Sequence, residues 1–336
     1  MVDLPAGIAE PRAMGAPLAL RTAGIMSVAT ALPEGRLTTR ELAQQLGITE
    51  EWILSRTGIR ERRRAAPDER LTDFAARAGE AALERAGLSA SELDLVIVAT
   101  MTPDEITPNA APIVAHALGA ERAGAFDVGA ACSGFLVALA QGTAQIECGR
   151  AEHALVIGAD FITRVTDYED RKTAPLFADA AGAVVLGPGG PGRGVIGPIV
   201  LGADGSQAET IIATHAERVI RMDGPEVFRH AIARMSAVTI DAATRAGFEL
   251  GDIDLFVYHQ ANARITRALG ERLGLDPERV VDCIELLGNS SAATLPVALA
   301  AAEQDGRLRP GARVLLSAFG AGFTWGGAVL EWGEHG

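Results

Sequence analysis

The sequence predicts a layered α/β fold built from two similar halves, and three observations support this prediction. Helical patterns alternate with short apolar runs, which is typical of sheets covered by helices on both faces. Residues 82–98 resemble residues 242–258, at an offset of 160 positions, and a repeat of that length indicates a duplicated domain. The 38 Gly residues and the 4% of aromatic residues suit helices packed closely on buried strands.

The first half is predicted to follow an N-terminal extension at 1–20 and to cover residues 21–187. A Thr at the start of 38–46 and Gly47 after it are typical start and stop signals of a helix. Short apolar runs between polar or Gly-rich segments are predicted to be strands. In order, the predicted elements are strand 21–31, helix 38–46, helix 72–86, strand 94–100, helix 110–118, strand 124–128, an Ala- and Leu-rich helix after residue 135, strand 153–159 and strand 180–187.

The second half is predicted to cover residues 188–336, because the Gly- and Pro-rich segment 187–192 is typical of a junction. It repeats the order of the first half. Its predicted elements are strand 195–201, helix 224–246, strand 254–258, a helix after residue 262, a short strand near 279–283, helix 292–303 and strand 312–318. Two such halves form a five-layer α/β/α/β/α body of parallel sheets if the sheets share a central layer of helices.

Composition excludes several classes of protein. The formal net charge of −13 argues against general nucleic-acid binding, which needs a basic face. The chain shows no basic segment followed by an apolar one at its N-terminus, and no apolar run of the ~18 residues that cross a bilayer. Three Cys without metal-ligand spacing predict neither a disulfide framework nor a metal site. We therefore expect a cytoplasmic protein.

Cys132 is the first candidate for chemistry. Small residues precede it, and an apolar helix follows it. A Cys at the N-terminus of a helix lies where free N–H groups and the helix dipole favour the thiolate. The alternative is a small buried core Cys, which is what an isolated Cys often is. Cys148 and Cys283 are predicted to be structural.

His259 and Asn289 are the next candidates. His259 directly follows strand 254–258, and α/β folds place ligands at the C-terminal ends of strands. Asn289 precedes a helix, near the repeat equivalent of Cys132. The duplication itself could therefore bring the three side chains together about a pseudo-twofold axis. The alternatives are a hydrogen-bonded core histidine and a helix N-cap.

Four motifs, in the same order along the chain, resemble those of β-ketoacyl-ACP synthase III in the thiolase superfamily. A fifth segment, residues 51–60 around Trp52 and Arg56, resembles its N-terminal motif. The resemblance extends from about residue 21 to the end of the chain. The four motifs are Gly129-Ala130-Ala131-Cys132-Ser133-Gly134-Phe135, His259-Gln260-Ala261-Asn262-Ala263-Arg264-Ile265, Gly288-Asn289-Ser290-Ser291 and Ala318-Phe319-Gly320-Ala321-Gly322-Phe323-Thr324-Trp325-Gly326.

The resemblance implies a thiolase-like condensing enzyme that needs no cofactor. Cys132 would accept an acyl group from acyl-CoA, and the enolate formed by decarboxylation of malonyl-ACP would attack the thioester. A thiolate suits this step because it is both a good nucleophile and a good leaving group. His259 and Asn289 would donate hydrogen bonds to the malonyl thioester oxygen. The backbone N–H groups of Cys132 and Ala321 would hold the oxyanion of the tetrahedral intermediate.

The resemblance also implies substrate-binding residues and a homodimer. Acyl-CoA and acyl carrier protein are the partners that it implies. In the family's pattern Trp52 and Arg56 contact the adenine end of CoA, Arg171 completes this binding site, and Asn262 lies along the pantetheine. Arg264 contacts the acidic carrier protein. Thr107 belongs to an acyl-pocket loop that crosses the dimer interface, and Phe319 lines the pocket beside Cys132.

The chain departs from the family pattern at three places. Residues 177–183 read Phe-Ala-Asp-Ala-Ala-Gly-Ala where the family usually has Phe-Gly-Asp-Gly-Ala-Gly-Ala. The added methyl groups stand where backbones approach closely, so they could reshape the pocket. Pro225 replaces a common polar residue, and Glu271 stands where a basic residue often serves carrier docking. Both changes bear on the identity of the carrier protein.

Two alternative functions follow from these departures. A synthase III-like enzyme of secondary metabolism would prime a polyketide, or would transfer its acyl group to oxygen or nitrogen. A degenerate partner subunit would carry a damaged triad, whereas Cys132, His259 and Asn289 are all present. Thiolase proper would need a second Cys after Cys283, and the elongating synthases would need a second His in place of Asn289. Chalcone-synthase-like enzymes are usually longer, with a Gly-Phe-Gly-Pro-Gly loop where this chain has 319–322.

Overall fold

The computed structural model describes residues 21–334, so the predicted extension at 1–20 lies outside the described residues. The first half contains a five-stranded sheet and the helices that cover it. Its strands are β1 (Ala23–Ala31), β2 (Arg36–Thr38), β3 (Glu61–Arg63), β4 (Leu95–Ala99), β5 (Gly124–Val128), β6 (Ala154–Phe161) and β7 (Asp179–Pro188), and its helices are α1 (Thr39–Leu46), α2 (Glu50–Thr57), α3 (Leu71–Ala86), α4 (Ala110–Leu118) and α5 (Gly134–Glu147).

The second half repeats the pattern with more short strands. Its strands are β8 (Val195–Ile196), β9 (Val200–Ala203), β10 (Ile211–Ala213), β11 (Ile220–Met222), β12 (Leu255–Tyr258), β13 (Arg313–Gly320) and β14 (Thr324–Glu331). Its helices are α6 (Gly224–Arg245), α7 (Ala263–Leu273), α8 (Ile284–Leu287) and α9 (Thr294–Gln304).

The predicted helix at 38–46 has the ends that its sequence indicates. Thr38 forms a capping box with Glu41, and Gly47 ends the helix in the left-handed conformation, at φ 63°. The other predicted helices occur within a few residues of their expected bounds.

Two strand predictions are wrong. The predicted strand 195–201 is split into β8 and β9, because Pro198 lies between them and has no N–H to donate to a ladder. The predicted strand near 279–283 is reduced to a single bridge between Phe256 and Val280.

The sheets are mixed, which corrects the prediction of parallel sheets. In the order β1-β7-β6-β4-β5, strand β4 is parallel to β5 and β6, while β7 is antiparallel to β6 and β1. In the second sheet β12 is parallel to β13, and β14 is antiparallel to β13. The chain connects β6 to β7 and β13 to β14 without an α-helix, and a parallel return needs a crossover of that kind.

Helices α5 and α9 form the central layer between the two sheets. α5 contacts β4 and β6 of the first sheet and β14 of the second, and α9 contacts β1, β7 and β12. α3 and α4 cover the outer face of the first sheet, and α6 packs on the outer face of the second beside α7. One core of buried side chains, including Phe135, Leu139, Leu295 and Leu316, joins the sheets through this layer. The molecule thus has the five-layer arrangement that the duplication predicts.

The two halves superpose in sequence register at their centres. Leu95 pairs with Ala154 in the first sheet, and Leu255 pairs with Val314 in the second, so each pair lies 160 positions from its counterpart. The 3₁₀ turns Ala131–Ser133 and Ser291–Ala293 keep the same offset. These turns precede the two central helices, and they bring the predicted site residues toward one another.

Candidate active site

Cys132 lies in the 3₁₀ turn that leads into α5. Ala131 before it has a left-handed backbone, with φ 45°, which turns the chain sharply out of β5. The pKa of the Cys132 thiol is raised to about 11, mainly by burial and to a smaller extent by the nearby Asp160, while a hydrogen bond with Ser291 opposes the rise. Loss of solvation therefore opposes the stabilisation of the thiolate that the position before α5 predicts.

His259 follows the last residue of β12 and is 2% exposed. Its Nδ1 lies 2.6 Å from the Thr294 hydroxyl, which also lies 2.9 Å from the Ser291 carbonyl oxygen. Burial lowers the pKa of His259 to about 3, so the imidazole is neutral near pH 7. Because Nδ1 is held by Thr294, Nε2 is the ring nitrogen available to a molecule in the cavity.

Asn289 is fixed by its backbone as well as by its side chain. Its N–H donates to the Leu176 carbonyl oxygen at 2.9 Å, and its own carbonyl oxygen accepts the Ala178 N–H at 2.8 Å. Its Oδ1 accepts the Ser291 N–H at 2.9 Å. The amide oxygen is thus occupied, and the amide nitrogen Nδ2 is the group that can donate to a ligand.

One cavity of about 990 Å³ joins these three side chains. Its inner part is lined by residues of both halves, including Cys132, His259, Asn289, Phe319 and Ala321. Its wall is mostly apolar, as small-molecule sites usually are. The pseudo-twofold duplication therefore brings together the Cys, His and Asn that the sequence predicts to meet.

Gly320 supports Cys132 from the second half. An added Cβ at Gly320 would lie 2.7 Å from the Cys132 backbone nitrogen, so only glycine allows this approach. The Ser133 hydroxyl lies 2.6 Å from the Thr324 hydroxyl, and Thr324 also lies 3.1 Å from the Ala321 carbonyl oxygen. These contacts hold the 320–324 segment against the turn that carries Cys132.

More exposed cationic and aromatic side chains also line this cavity. The Arg56 guanidinium lies 4.3 Å from the centre of the Trp52 ring, and the Arg171 guanidinium lies 6.0 Å from it. Asn262 and Arg264 line the cavity as well. The Asn262 Oδ1 accepts the Arg264 N–H at 2.9 Å, which caps α7. The predicted CoA residues and the predicted carrier contact thus line one cavity.

Thr107 does not line the cavity, in contrast to the other predicted substrate residues. It is exposed on the 101–109 loop, next to Ile106, which is 86% exposed. The structure therefore does not place this residue at the site of its own chain.

Three polar residues at the site escape the sequence prediction. Ser291 and Thr294 follow Asn289 in what reads as an ordinary helix start, and their contacts with Cys132 and His259 appear only in three dimensions. Asp160 is fully buried near the end of β6, although buried Asp residues are rare unless paired. A single acidic residue directly after an apolar strand is the only signal in the sequence that could indicate it.

Among residues 21–334, no group of three His, Cys, Asp or Glu side chains is placed to hold a metal ion. In the same range no helix is both long enough and apolar enough to cross a membrane.

Family models match both halves of the chain. The model of 3-oxoacyl-[acyl-carrier-protein] synthase III matches residues 126–205, and the model of its C-terminal part matches residues 243–332. A β-ketoacyl-[acyl-carrier-protein] synthase III of Symbiobacterium thermophilum is 42% identical over 329 residues, which cover 94% of this chain and 99% of the relative. A synthase III of Streptomyces coelicolor is 43% identical and covers 93% of this chain and 98% of the relative.

Solved structures show the same fold. The 3-oxoacyl-[acyl-carrier-protein] synthase III of Aquifex aeolicus has a TM-score of 0.90 at 39% identity, with 92% of this chain and all of that chain covered. The priming β-ketosynthase of the R1128 polyketide pathway has a TM-score of 0.92 at 36% identity, with 96% and 100% covered. These similarities confirm the predicted fold class.

Proposed function

This chain belongs to the 3-oxoacyl-[acyl-carrier-protein] synthase III family, and from that membership we propose that it initiates fatty-acid synthesis. The reaction is a decarboxylating condensation of an acyl-CoA primer with malonyl-ACP through an acyl-Cys132 intermediate. The observation that carries the proposal is the convergence of Cys132, His259 and Asn289 in one cavity that Trp52, Arg56 and Arg171 also line.

The first step is acyl transfer. The Cys132 sulfur attacks the thioester carbon of the acyl-CoA, and the CoA sulfur leaves. The thiol gives up its proton and the departing CoA sulfur takes one up, so the step is neutral overall. Because burial keeps the thiol protonated at neutral pH, nucleophilic attack is coupled to proton loss. The N–H groups of Cys132 and Ala321 stabilise the oxyanion of the tetrahedral intermediate.

The second step is decarboxylation and condensation. Malonyl-ACP loses CO₂, and the negative charge develops on its thioester oxygen, which accepts hydrogen bonds from His259 Nε2 and Asn289 Nδ2. For Nε2 to carry the hydrogen, Nδ1 must accept, so the Thr294 hydroxyl turns its single hydrogen from the Ser291 carbonyl oxygen, at 2.9 Å, to Nδ1, at 2.6 Å. Preorganised donors of this kind each contribute roughly 3–4 kcal/mol. The enolate carbon then attacks the acyl thioester, the sulfur of Cys132 leaves, and β-ketoacyl-ACP is released.

More exposed residues of the same cavity recognise CoA and the acyl carrier protein. Trp52 and Arg56 bind the adenine end of CoA, Arg171 completes the clamp, and Asn262 lies along the pantetheine. An aromatic ring beside guanidinium groups suits a planar base next to phosphates. Arg264 provides a local positive charge for an acidic carrier protein on a chain of net charge −13.

The active enzyme is a homodimer in this proposal. β5 is an edge strand of its sheet and leaves Phe126 38% exposed, and an unpaired edge is a ready template for a second copy. The exposed loop with Ile106 and Thr107 then lines the acyl pocket of the partner subunit. The chemistry uses a thiol and hydrogen-bond donors, so it needs no cofactor, and cytoplasmic acyl-CoA and carrier protein supply both substrates.

Intact-protein mass spectrometry tests the proposal. The parent and Cys132→Ser are incubated with a panel of acyl-CoAs, and malonyl-ACP is then added. We expect a mass gain in the parent alone, and its discharge to β-ketoacyl-ACP, which also identifies the primer. A gain that malonyl-ACP does not discharge would instead indicate acyl transfer to another acceptor. No gain with any primer would contradict the proposal.

Priming of a polyketide is the second candidate function. The structural similarity to the priming β-ketosynthase of the R1128 pathway, at a TM-score of 0.92, favours it. The altered carrier-docking position Glu271 agrees with a different carrier protein. Competition between malonyl groups on a fatty-acid and on a polyketide carrier protein separates the two functions, since the preferred carrier gives the higher kcat/KM.

A further inference from the structure

We propose that Asp160 fills an internal counterpart of the oxyanion site and thereby fixes the turn that carries Asn289. Asp160 is fully buried, and the two reaction steps described above do not use it. The proposal rests on the proposed function, because its kinetic effect is measured in the decarboxylation step.

The duplication defines the counterpart. The strand register of the two halves relates positions that are 160 residues apart. Cys132 therefore corresponds to Ala292, and Gly320, which lies against the Cys132 nitrogen, corresponds to Asp160. Beside the first turn, the absence of a side chain at position 320 leaves room for a substrate oxygen. Beside the second turn, a carboxylate stands in the equivalent place.

The Asp160 carboxylate makes the contacts that an oxyanion would make. Its Oδ2 accepts the Ala292 N–H at 3.1 Å, and this N–H is the counterpart of the Cys132 N–H. Its Oδ1 accepts the Met101 N–H at 2.8 Å and the hydroxyls of Thr100 and Thr102 at 3.1 Å each. Two backbone N–H groups and two hydroxyls thus converge on one buried carboxyl group and satisfy it. Burial raises the pKa of Asp160, and the hydrogen bonds from Met101, Ala292 and Thr102 oppose that rise and favour the carboxylate.

The second donor of the counterpart site is also occupied. Phe161 lies 160 positions before Ala321, and its N–H donates to the Thr102 hydroxyl at 2.8 Å. Both N–H groups of the second site therefore donate to side chains of the protein and are not available to a ligand. Only the copy at Cys132 and Ala321 opens into the cavity.

Leu176 and Ala178 hold the Asn289 backbone, and the direction of its side chain depends on this closed site. Ala292 is held by Asp160, and the preceding residue, Ser291, donates its N–H to the Asn289 amide oxygen. If Ala292 is released, the turn loses its link to β6, and Asn289 Nδ2 loses its fixed direction. Asp160 is thus a positioning residue for the decarboxylation step, and it acts through the 289–292 turn.

The test uses Asp160→Ala, which leaves a space of the size of a carboxylate, and formate as the probe that refills it. We expect decarboxylation of malonyl-ACP to fall by about tenfold or more and acyl transfer to fall by less than about threefold. Formate is expected to restore a substantial part of the lost decarboxylation rate, and to raise the melting temperature of the variant in a saturable way. Asp160→Asn keeps the volume of the side chain but has a single acceptor oxygen. We expect it to show the same ratio of decarboxylation to acyl transfer as Asp160→Ala, and no response to formate, because no space is left for it.

Asp94→Ala is the matched control. Asp94 also accepts two backbone N–H groups, those of Glu152 and His153, but at the opposite end of the same strands. We expect it to lower the melting temperature without changing the ratio of the two partial reactions and without any response to formate. An equal loss of both reactions in Asp160→Ala, or no response of that variant to formate, would overturn the proposal.

The melting-temperature measurement keeps this inference separate from the proposed function. If the parent enzyme does not decarboxylate malonyl-ACP, the proposed function fails, while stabilisation of Asp160→Ala by formate would still support a filled anion site. If the parent is active and the variant shows neither effect, the inference alone fails.

Discussion

The turn at Ala131–Ser133 and the turn at Ser291–Ala293 have similar backbones and carry different chemistry. The first residue of each has a left-handed φ, 45° in Ala131 and 51° in Ser291, although neither is glycine. Such a conformation costs of order 1–3 kcal/mol and persists only where the surroundings hold it. The first turn presents a nucleophile to the cavity, and the second is bonded to a buried carboxylate.

This difference shows how equivalent sites in a duplicated fold can take on different roles. Both halves keep the frame in which a strand end faces the N-terminus of a central helix. Two differences between equivalent positions separate the halves: Cys132 corresponds to Ala292, and Gly320 corresponds to Asp160. Beside Gly320 the site opens into the cavity, and we call it the open copy. In the other half Asp160 fills the equivalent site, which we call the closed copy. In the proposed mechanism the closed copy then supports His259 and Asn289, which act on the substrate that Cys132 of the open copy attacks.

The largest expected effect is a loss of decarboxylation, without a loss of acyl transfer, when His259 or Asn289 of the second half is replaced. Replacing His259 or Asn289 by Ala should lower decarboxylation of malonyl-ACP by about 10²–10³-fold, since each removes a preorganised donor. Acyl transfer to Cys132 should continue, because neither side chain touches the acyl oxyanion in this mechanism. Release of labelled CO₂ and intact-protein mass measure the two steps. A His259→Ala enzyme that decarboxylates at the parent rate would show that the roles are wrongly assigned.

Gly320→Ala tests whether the open copy must stay open. The new methyl group would lie 2.7 Å from the Cys132 nitrogen, so the nucleophile must shift. We expect acyl transfer to fall by roughly 10–100-fold, the cost of a misplacement of about 1 Å. Burst-phase acylation measures it. Gly251→Ala is the control, since an added Cβ there meets no atom within 4 Å, and an equal loss in both variants would contradict the prediction.

The negative charge of Asp160 should affect the pKa of Cys132. Burial raises the pKa of Cys132 to about 11, and Asp160 contributes to the rise, so the thiol loses its proton only at alkaline pH. Asp160→Asn removes that negative charge and should move the midpoint of iodoacetamide alkylation to lower pH, by up to about one pH unit. Peptide-level mass spectrometry follows Cys132 apart from Cys148 and Cys283. A midpoint that stays or rises would contradict the electrostatic coupling.

The smallest effects are expected where the chain departs from its family. Ala178 is buried against the turn at Gly288, and Ala180 packs with Ala293 and Val297. Replacing each Ala by Gly should lower the free energy of unfolding by about 0.5–1 kcal/mol, because a strand glycine is more flexible when unfolded. Both partial reactions should change less than about twofold. Urea unfolding and the two assays measure this, and a changed primer preference would mean that the methyl groups shape the pocket.

Much of the site follows from the sequence because the duplication is visible there. The offset of 160 positions places Asn289 near the counterpart of Cys132, and a buried strand ending in His259 predicts a third residue at the same edge. The prediction of parallel pairing is wrong for β7 and β14, which are antiparallel to their neighbours, whereas the order of helices and strands follows from the hydrophobic runs. Those features are local or periodic, which is why a single sequence reveals them.

The remainder depends on distances that no pattern encodes. Asp160 and Gly320 occupy equivalent places without any similarity of residue type, so their correspondence emerges only from the strand register. The sign of the Cys132 pKa shift depends on how deeply the thiol is buried, and a helix N-terminus alone predicts the opposite sign. Thr107 lies outside the cavity of its own chain, and a single sequence does not show which copy it serves.

The contacts that build the site also determine when it can form during folding. The hydrogen bond from Ala292 to Asp160 spans 132 residues, and Gly320 meets a cysteine that was synthesised 188 residues earlier. Closing such long loops is slow, because their entropy is lost before their contacts form. A nascent chain that ends before β13 therefore lacks the strand that pairs with β12 and the glycine that packs against Cys132. We therefore expect reactivity of Cys132 toward thioesters to appear only after β13 and β14 have docked onto the rest of the chain.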